Sequence, residues 1–249
     1  MKARYIILST ALFFLSSIAL VFAHGAELST WQRLGIPDPY QILSYSAAIM
    51  VVALVLAAFL KKEMSPTLQK IAYIAIAIPV IIGTLYLSGA TVYLNQKSWS
   101  GGPVHWHADF EIWVCGEQID IIDPKGFRNL VGEETLHEHG DNRIHIEGVI
   151  FDKEDATLGE FFEALGGEFS EDTLSVPTEH GMKIWKNGDL CNGNPGVWYT
   201  FINNGYAPAN EAVDYIISPW QTVPPGDTIK FVFSEEDRFD INTKFGVPP

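Results

Sequence analysis

Sulfur is scarce in this chain, with two cysteines and four methionines among 249 residues. Cys115 and Cys191 lie far apart, so there is no CxxC motif for thiol redox chemistry or a thiolate zinc site. Met182 is the only methionine beyond residue 100, which argues against a thioether-rich Cu(I) carrier. Positive charge is scarce in the same region. Residues 100–249 hold 9 Lys/Arg against 27 Asp/Glu, net −18, and residues 1–99 hold 7 against 3, net +4, which together give the −14 of the whole chain. So acidic a region repels nucleic acid and anionic lipid surfaces and draws cations. Residues 42–60 and 71–94 carry neither charge nor histidine, which argues against a proton relay inside a membrane. No H-E-x-x-H or other hydrolase motif occurs.

Long apolar runs are present. Met1-Lys2-Ala3-Arg4 precedes one that closes at Val21-Phe22-Ala23, so residues 1–23 read as a signal peptide cleaved before His24 or as an uncleaved anchor. Cleavage would free the His24 amine to join its ring nitrogen as a copper-binding brace. Within a membrane region of residues 24–95, transmembrane helices are predicted at about 41–60 and 71–94, the second kinked at Pro79 and Gly83. Lys61, Lys62 and Lys70 put the connection between them in the cytoplasm by the positive-inside rule. The chain beyond residue 95 is then extracytoplasmic. Residues 96–103 read as a linker and 104–240 as one folded domain. Export makes a Cys115–Cys191 disulfide the expected use of the two cysteines, with free thiols as the alternative.

Five of the seven histidines fall between residues 104 and 147. Val104, Trp106, Ala108, Phe110, Ile112 and Val114 alternate with His105, His107, Asp109 and Glu111, the pattern of a strand with one apolar face. Leu136, Ile144 and Ile146 similarly alternate with His137, His139, Arg143, His145 and Glu147. A three-residue loop at Gly140-Asp141-Asn142 keeps that apolar face intact and predicts Leu136 opposite Ile146, His137 opposite His145 and His139 opposite Arg143. Neutral imidazoles with carboxylates form a ligand set for Zn²⁺, Cu²⁺, Fe²⁺ or Mn²⁺. The ligand pool is His105, His107, His137, His139 and His145, with Asp109, Glu138 and Glu147 as further ligands or as groups that orient the rings. The other reading is a solvated polar face rich in histidine.

Further along, Thr157-Leu158-Gly159-Glu160 is a capping box, and Leu158, Phe161, Phe162 and Leu165 follow at helical spacing before Gly166-Gly167. Strands are predicted at 182–185, 197–202 and 228–233, and Ser234-Glu235-Glu236-Asp237 reads as a solvated acidic end. The motifs Thr157-Leu158, Tyr199-Thr200-Phe201-Ile202-Asn203-Asn204-Gly205 and Gly226-Asp227-Thr228-Ile229 resemble, in order, the transcobalamin C-terminal-like β-grasp group. The paired H-x-H motifs before I-H-x-E also look like membrane-tethered envelope proteins of archaea and bacteria. These resemblances imply an α+β fold: N-terminal membrane helices, then a β-grasp-like mixed sheet with one main helix and an inserted histidine hairpin.

Together the readings favour a membrane-anchored, extracytoplasmic domain that binds a divalent cation, Zn²⁺ or Cu²⁺. A metal-dependent envelope enzyme, with Glu138 or Glu147 as general base, is the first alternative. A metal-free adhesion module presenting Trp198, Tyr206, Tyr215 and Trp220 is the second.

Overall fold

The computed structural model describes residues 30–60, 64–217 and 226–245. The readings made for the N-terminal 23 residues, His24, Lys61, Lys62 and Trp220 lie outside them. By contacts the chain divides into two compact units, Met1–Lys97 and Ser98–Pro249.

In the first unit, a short helix α1 (Thr30–Arg33) precedes α2 (Pro39–Leu60) and α3 (Pro66–Lys97). The long pair is apolar on every side: Ile49, Leu56, Ile71, Ile81 and Leu85 all stand exposed, as in a helix whose solvent is not water. Both helices are long and apolar enough to cross a membrane. They pack closely where Gly83 leaves room for Leu43; a Cβ there would sit 3.2 Å from the leucine Cδ2. Tyr86 Oη donates to the Pro37 carbonyl (2.6 Å), tying α3 to the segment before α2.

The second unit is α+β. Its main sheet is built on β1 (Pro103–Val114). On one side β1 pairs in parallel with β13 (Asp227–Ser234), which in turn pairs antiparallel with β11 (Val197–Ile202) and through it with the edge strand β12 (Gly205–Ala207). On the other side β1 pairs antiparallel with β5 (Arg143–Val149) and, further along, with β2 (Glu117–Ile119). Beyond β5 lie β4 (Leu136–Glu138) and β3 (Val131–Gly132), completing eight strands. A three-stranded sheet of β6 (Glu168–Phe169), β7 (Thr173–Thr178) and β8 (Gly181–Lys186) and a two-stranded one of β9 (Leu190–Cys191) and β10 (Asn194–Pro195) stand beside it.

The predicted alternation in β1 explains the layering. Trp106, Ala108, Phe110, Ile112 and Val114 join Ile144, Ile146, Ile229, Phe231 and Phe233 on one face of the sheet. Against it packs α4 (Leu158–Ala164), capped by Thr157, whose hydroxyl accepts the Glu160 N–H (3.3 Å). Phe161 and Phe162 are fully buried, and Phe162 meets Phe231 edge to face at 5.0 Å. Each such phenyl contributes about 1.5–3 kcal/mol by burial. Cys115 and Cys191 are disulfide-bonded, 5.4 Å apart at Cα, and tie the end of β1 to β9.

The segment predicted as a flexible linker is partly ordered. The Trp99 N–H donates to Phe151 O (2.8 Å), Ser100 Oγ accepts the Ile150 N–H (3.1 Å), and Trp99 packs edge-on against Trp106 at 5.8 Å. At the other end, the acidic tail turns into a helix. After α5 (Ala209–Val213), α6 (Arg238–Phe245) runs past the expected boundary at residue 240 and buries Ile241 with Phe201 and Val232 on the far face of the sheet. That helix covers the far face at the C-terminal end of β1; the N-terminal end carries the histidines. Of the proposed adhesion aromatics, Trp198 is in the core, Tyr215 donates to Asp227 (2.9 Å), and Tyr206 is exposed.

Candidate metal centre

Three strands, with the turn that follows one of them, supply the candidate ligands. The β4–β5 register places Leu136 opposite Ile146 and His137 opposite His145, as the hydrophobic pattern requires. The predicted pairing of His139 with Arg143 does not form as a ladder step, because β4 ends at Glu138; His139 sits at the start of the turn. The β1–β5 ladder then adds what local pattern alone could not supply: His105 stands opposite Glu147 and His107 opposite His145. Consecutive odd positions share a face, so all five rings and the Glu147 carboxylate gather there.

Their donor atoms form two overlapping groups. His137, His139, His145 and Glu147 make one, and His105, His107 and His145 the other, each with all its donor atoms within 4.8 Å of one another. Three of the rings are buried: His107 and His145 at 8% exposure and His137 at 2%. A solvated histidine face would not bury them, so that reading is set aside for these three.

The hydrogen bonds assign the lone pairs. His137 Nδ1 lies 3.0 Å from the Glu133 carbonyl, and His139 Nδ1 against the Asn129 carbonyl. Carbonyls only accept, so in both rings Nδ1 carries the proton and a neutral ring has its lone pair on Nε2. The two Nε2 atoms face each other at 3.1 Å. Two lone pairs at that distance repel unless a cation or a shared proton lies between them. For two ligands at ~2.0–2.1 Å around a tetrahedral ion, the nitrogen–nitrogen separation is ~3.3 Å, close to what is seen. His107 Nδ1 and His145 Nδ1 are buried and have no hydrogen-bond partner, leaving two more donors directed at nothing in the protein.

Burial keeps His107, His137 and His145 in their neutral, ligand form. Burial pushes the His145 pKa down to about 4, outweighing the Asp141 carboxylate 3.3 Å from its Nε2. Burial likewise lowers His107, aided by neighbouring His105 and Arg143, and lowers His137, aided by His139. Protonation of His137 is disfavoured, which weakens the shared-proton alternative at its Nε2.

Two of the suggested carboxylates lie outside both donor groups. Asp109 lies on the histidine face but pairs with Arg143, whose Nε donates to Oδ1 at 2.6 Å, and it belongs to neither donor group. Glu138, 1% exposed, belongs to neither group either. Its Oε1 accepts the N–H groups of Asp141 (2.5 Å) and Asn142 (2.9 Å), so it shapes the turn that brings Asp141 to His145. Its role is indirect. Asp141 itself went unnoticed in the sequence, although its spacing of four residues from His145 was a usable signal. The Asn129 and Glu133 carbonyls left none, because backbone groups are silent in a sequence.

The arrangement presents imidazole and carboxylate donors with no sulfur, a set that could hold a metal ion. No protein-family model, curated protein or solved structure matches this chain.

Proposed function

We propose that this protein is a membrane-anchored, extracytoplasmic metal-binding protein that holds Zn²⁺ or Cu²⁺ in its histidine cluster. The observation that carries the reading is the pair of Nε2 lone pairs facing each other at 3.1 Å, each fixed by a carbonyl behind its ring. Backing of this kind orients and strengthens imidazole ligands. With both cysteines in a disulfide, the centre has no thiolate to offer, which favours Zn²⁺ or Cu²⁺ over Cu(I).

The disulfide supports an oxidising location, and the basic connection between two apolar helices supports the same topology. Strand order supports the β-grasp-like reading: a first hairpin, a helix on the sheet, and a last strand parallel to the first at the sheet centre. In that reading β3, β4 and β5 are the inserted histidine hairpin, added to the free edge of β1.

The test is elemental analysis of the full chain purified in detergent and dialysed against trace zinc and copper. At least one equivalent should be retained by the native protein and none by a variant with all five clustered histidines changed to Ala. Native protein that retains no metal at micromolar free Zn²⁺ or Cu²⁺ refutes the proposal.

A further inference from the structure

Resting on that reading, we infer that the cluster is a two-ion centre, with the Glu147 carboxylate spanning a pair of divalent metal ions. Six side chains converge, and their donor atoms form two groups that share only His145. Around a single ion with ligands at ~2.0–2.1 Å, even opposite donors are no more than ~4.2 Å apart. Two groups, each within 4.8 Å internally and sharing only His145, hold more donors than one ion can gather.

The donors also divide chemically. His137 and His139 direct Nε2 at each other, backed by the Glu133 and Asn129 carbonyls. His107 and His145 each bury an Nδ1 that meets no hydrogen-bond partner, and their rings lie 4.7 Å apart at the centroids, with His145 also 4.5 Å from His139. His145 Nε2 faces Asp141 Oδ2, so with Nε2 protonated its Nδ1 holds the lone pair. His105 completes that second group.

Glu147 joins the halves. It belongs to the His137–His139 group, yet its Oε1 is 3.1 Å from His105 Nε2 in the other. A carboxylate has two oxygens and can give one to each ion, as in two-metal sites whose ions stand ~3.5–4 Å apart. One ion then has His137, His139 and Glu147 and the other His105, His107 and Glu147, with His145, a member of both groups, available to either. The ion without His145 has three protein ligands, which leaves a coordination position for water or an incoming ligand.

The experiment uses the full chain in detergent, stripped with chelator and reloaded with Zn²⁺ or Cu²⁺ by equilibrium dialysis. Two ions per chain are expected in the native protein. One is expected in the His105→Ala/His107→Ala variant and one in His137→Ala/His139→Ala, with circular dichroism confirming that both are folded. With two Cu²⁺ bound, the electron paramagnetic resonance signal of isolated Cu²⁺ should be largely lost through coupling, and it should return in each double variant. One ion in the native protein, lost from either variant, overturns the two-ion centre while leaving the metal-binding proposal standing. No ion in the native protein overturns both. Two ions with full, uncoupled signal, or a stoichiometry indifferent to both variants, place the ions apart or elsewhere and also refute the inference.

Discussion

Acidifying the metal-free protein should weaken it through one residue above all. His145 is 8% exposed, and burial holds its pKa at about 4, against ~6.5 for a free imidazole. The unfolded chain therefore takes up a proton near pH 6.5 that the folded chain refuses until about 4. The stability conferred by neutral His145 is complete above the unfolded value, falls as the pH drops, and is gone below the folded value. The full shift corresponds to about 3 kcal/mol, of which ~2 kcal/mol is lost between about pH 7.5 and pH 5. For a domain of this size that is a fall in melting temperature of roughly 4–8 °C. The assay is urea unfolding of chelator-stripped protein at the two pH values, followed by tryptophan fluorescence and repeated on His145→Asn. Carboxylates that titrate in both proteins cancel in the difference. The native protein should lose ~2 kcal/mol more than the variant. Equal losses in the two would refute the argument.

Three further outcomes are expected. Protease added to intact cells or spheroplasts should remove the acidic unit; protection until lysis would overturn the extracytoplasmic topology. Unreduced, denatured protein should show no alkylatable thiol, and removing the disulfide with Cys115→Ala/Cys191→Ala should cost about 4–5 kcal/mol by freeing a loop of 76 residues in the unfolded chain; a change below ~1 kcal/mol would contradict the entropic account. Glu138→Ala should destabilise the fold by ~1–3 kcal/mol for each N–H it leaves unpaired and weaken metal binding ~10–100-fold by releasing Asp141, measured by denaturation and by competition with a chromophoric chelator. Unchanged affinity would mean that Asp141 does not orient His145.

What the sequence disclosed was local. Alternation from Val104 to Val114 predicted the buried face of β1, and Leu136 against Ile146 set the register of the hairpin, because a one-residue slip would turn every apolar side chain outward. The pairing of β1 with β5 was not legible, since any two exposed strand edges satisfy the same pattern. With it went the placement of His107 beside His145, the capture of Asp109 by Arg143 and the division of the donors into two groups. Strand β7 was missed for another reason. Leu174 and Val176 alternate with Thr173 and Ser175, but all four side chains are buried, so the alternation marks no solvent face, and Pro177 near the strand end weakens the signal further. The α6 helix follows the acidic Glu235-Glu236-Asp237 stretch and has few apolar residues to mark it, Ile241 and Phe245 being its anchors among the described side chains.

The parallel pairing of β1 with β13 has a consequence in time. Every candidate ligand has been synthesised by Glu147, and β1, β4 and β5 can pair as soon as they emerge. The partner that closes the other edge of β1, from Ala108 to Val114, begins at Asp227, after Gly226 passes so near the His107 carbonyl that a Cβ would lie 2.0 Å from it. At ~5–20 residues per second, the roughly 80 residues between β5 and β13 take on the order of 4–16 s to make. Throughout that interval the nascent domain has a complete ligand set and an open row of peptide groups on its central strand, a surface to which a neighbouring chain can add a strand. The slowest-arriving strand thus sets how long the growing chain must be kept from its own copies.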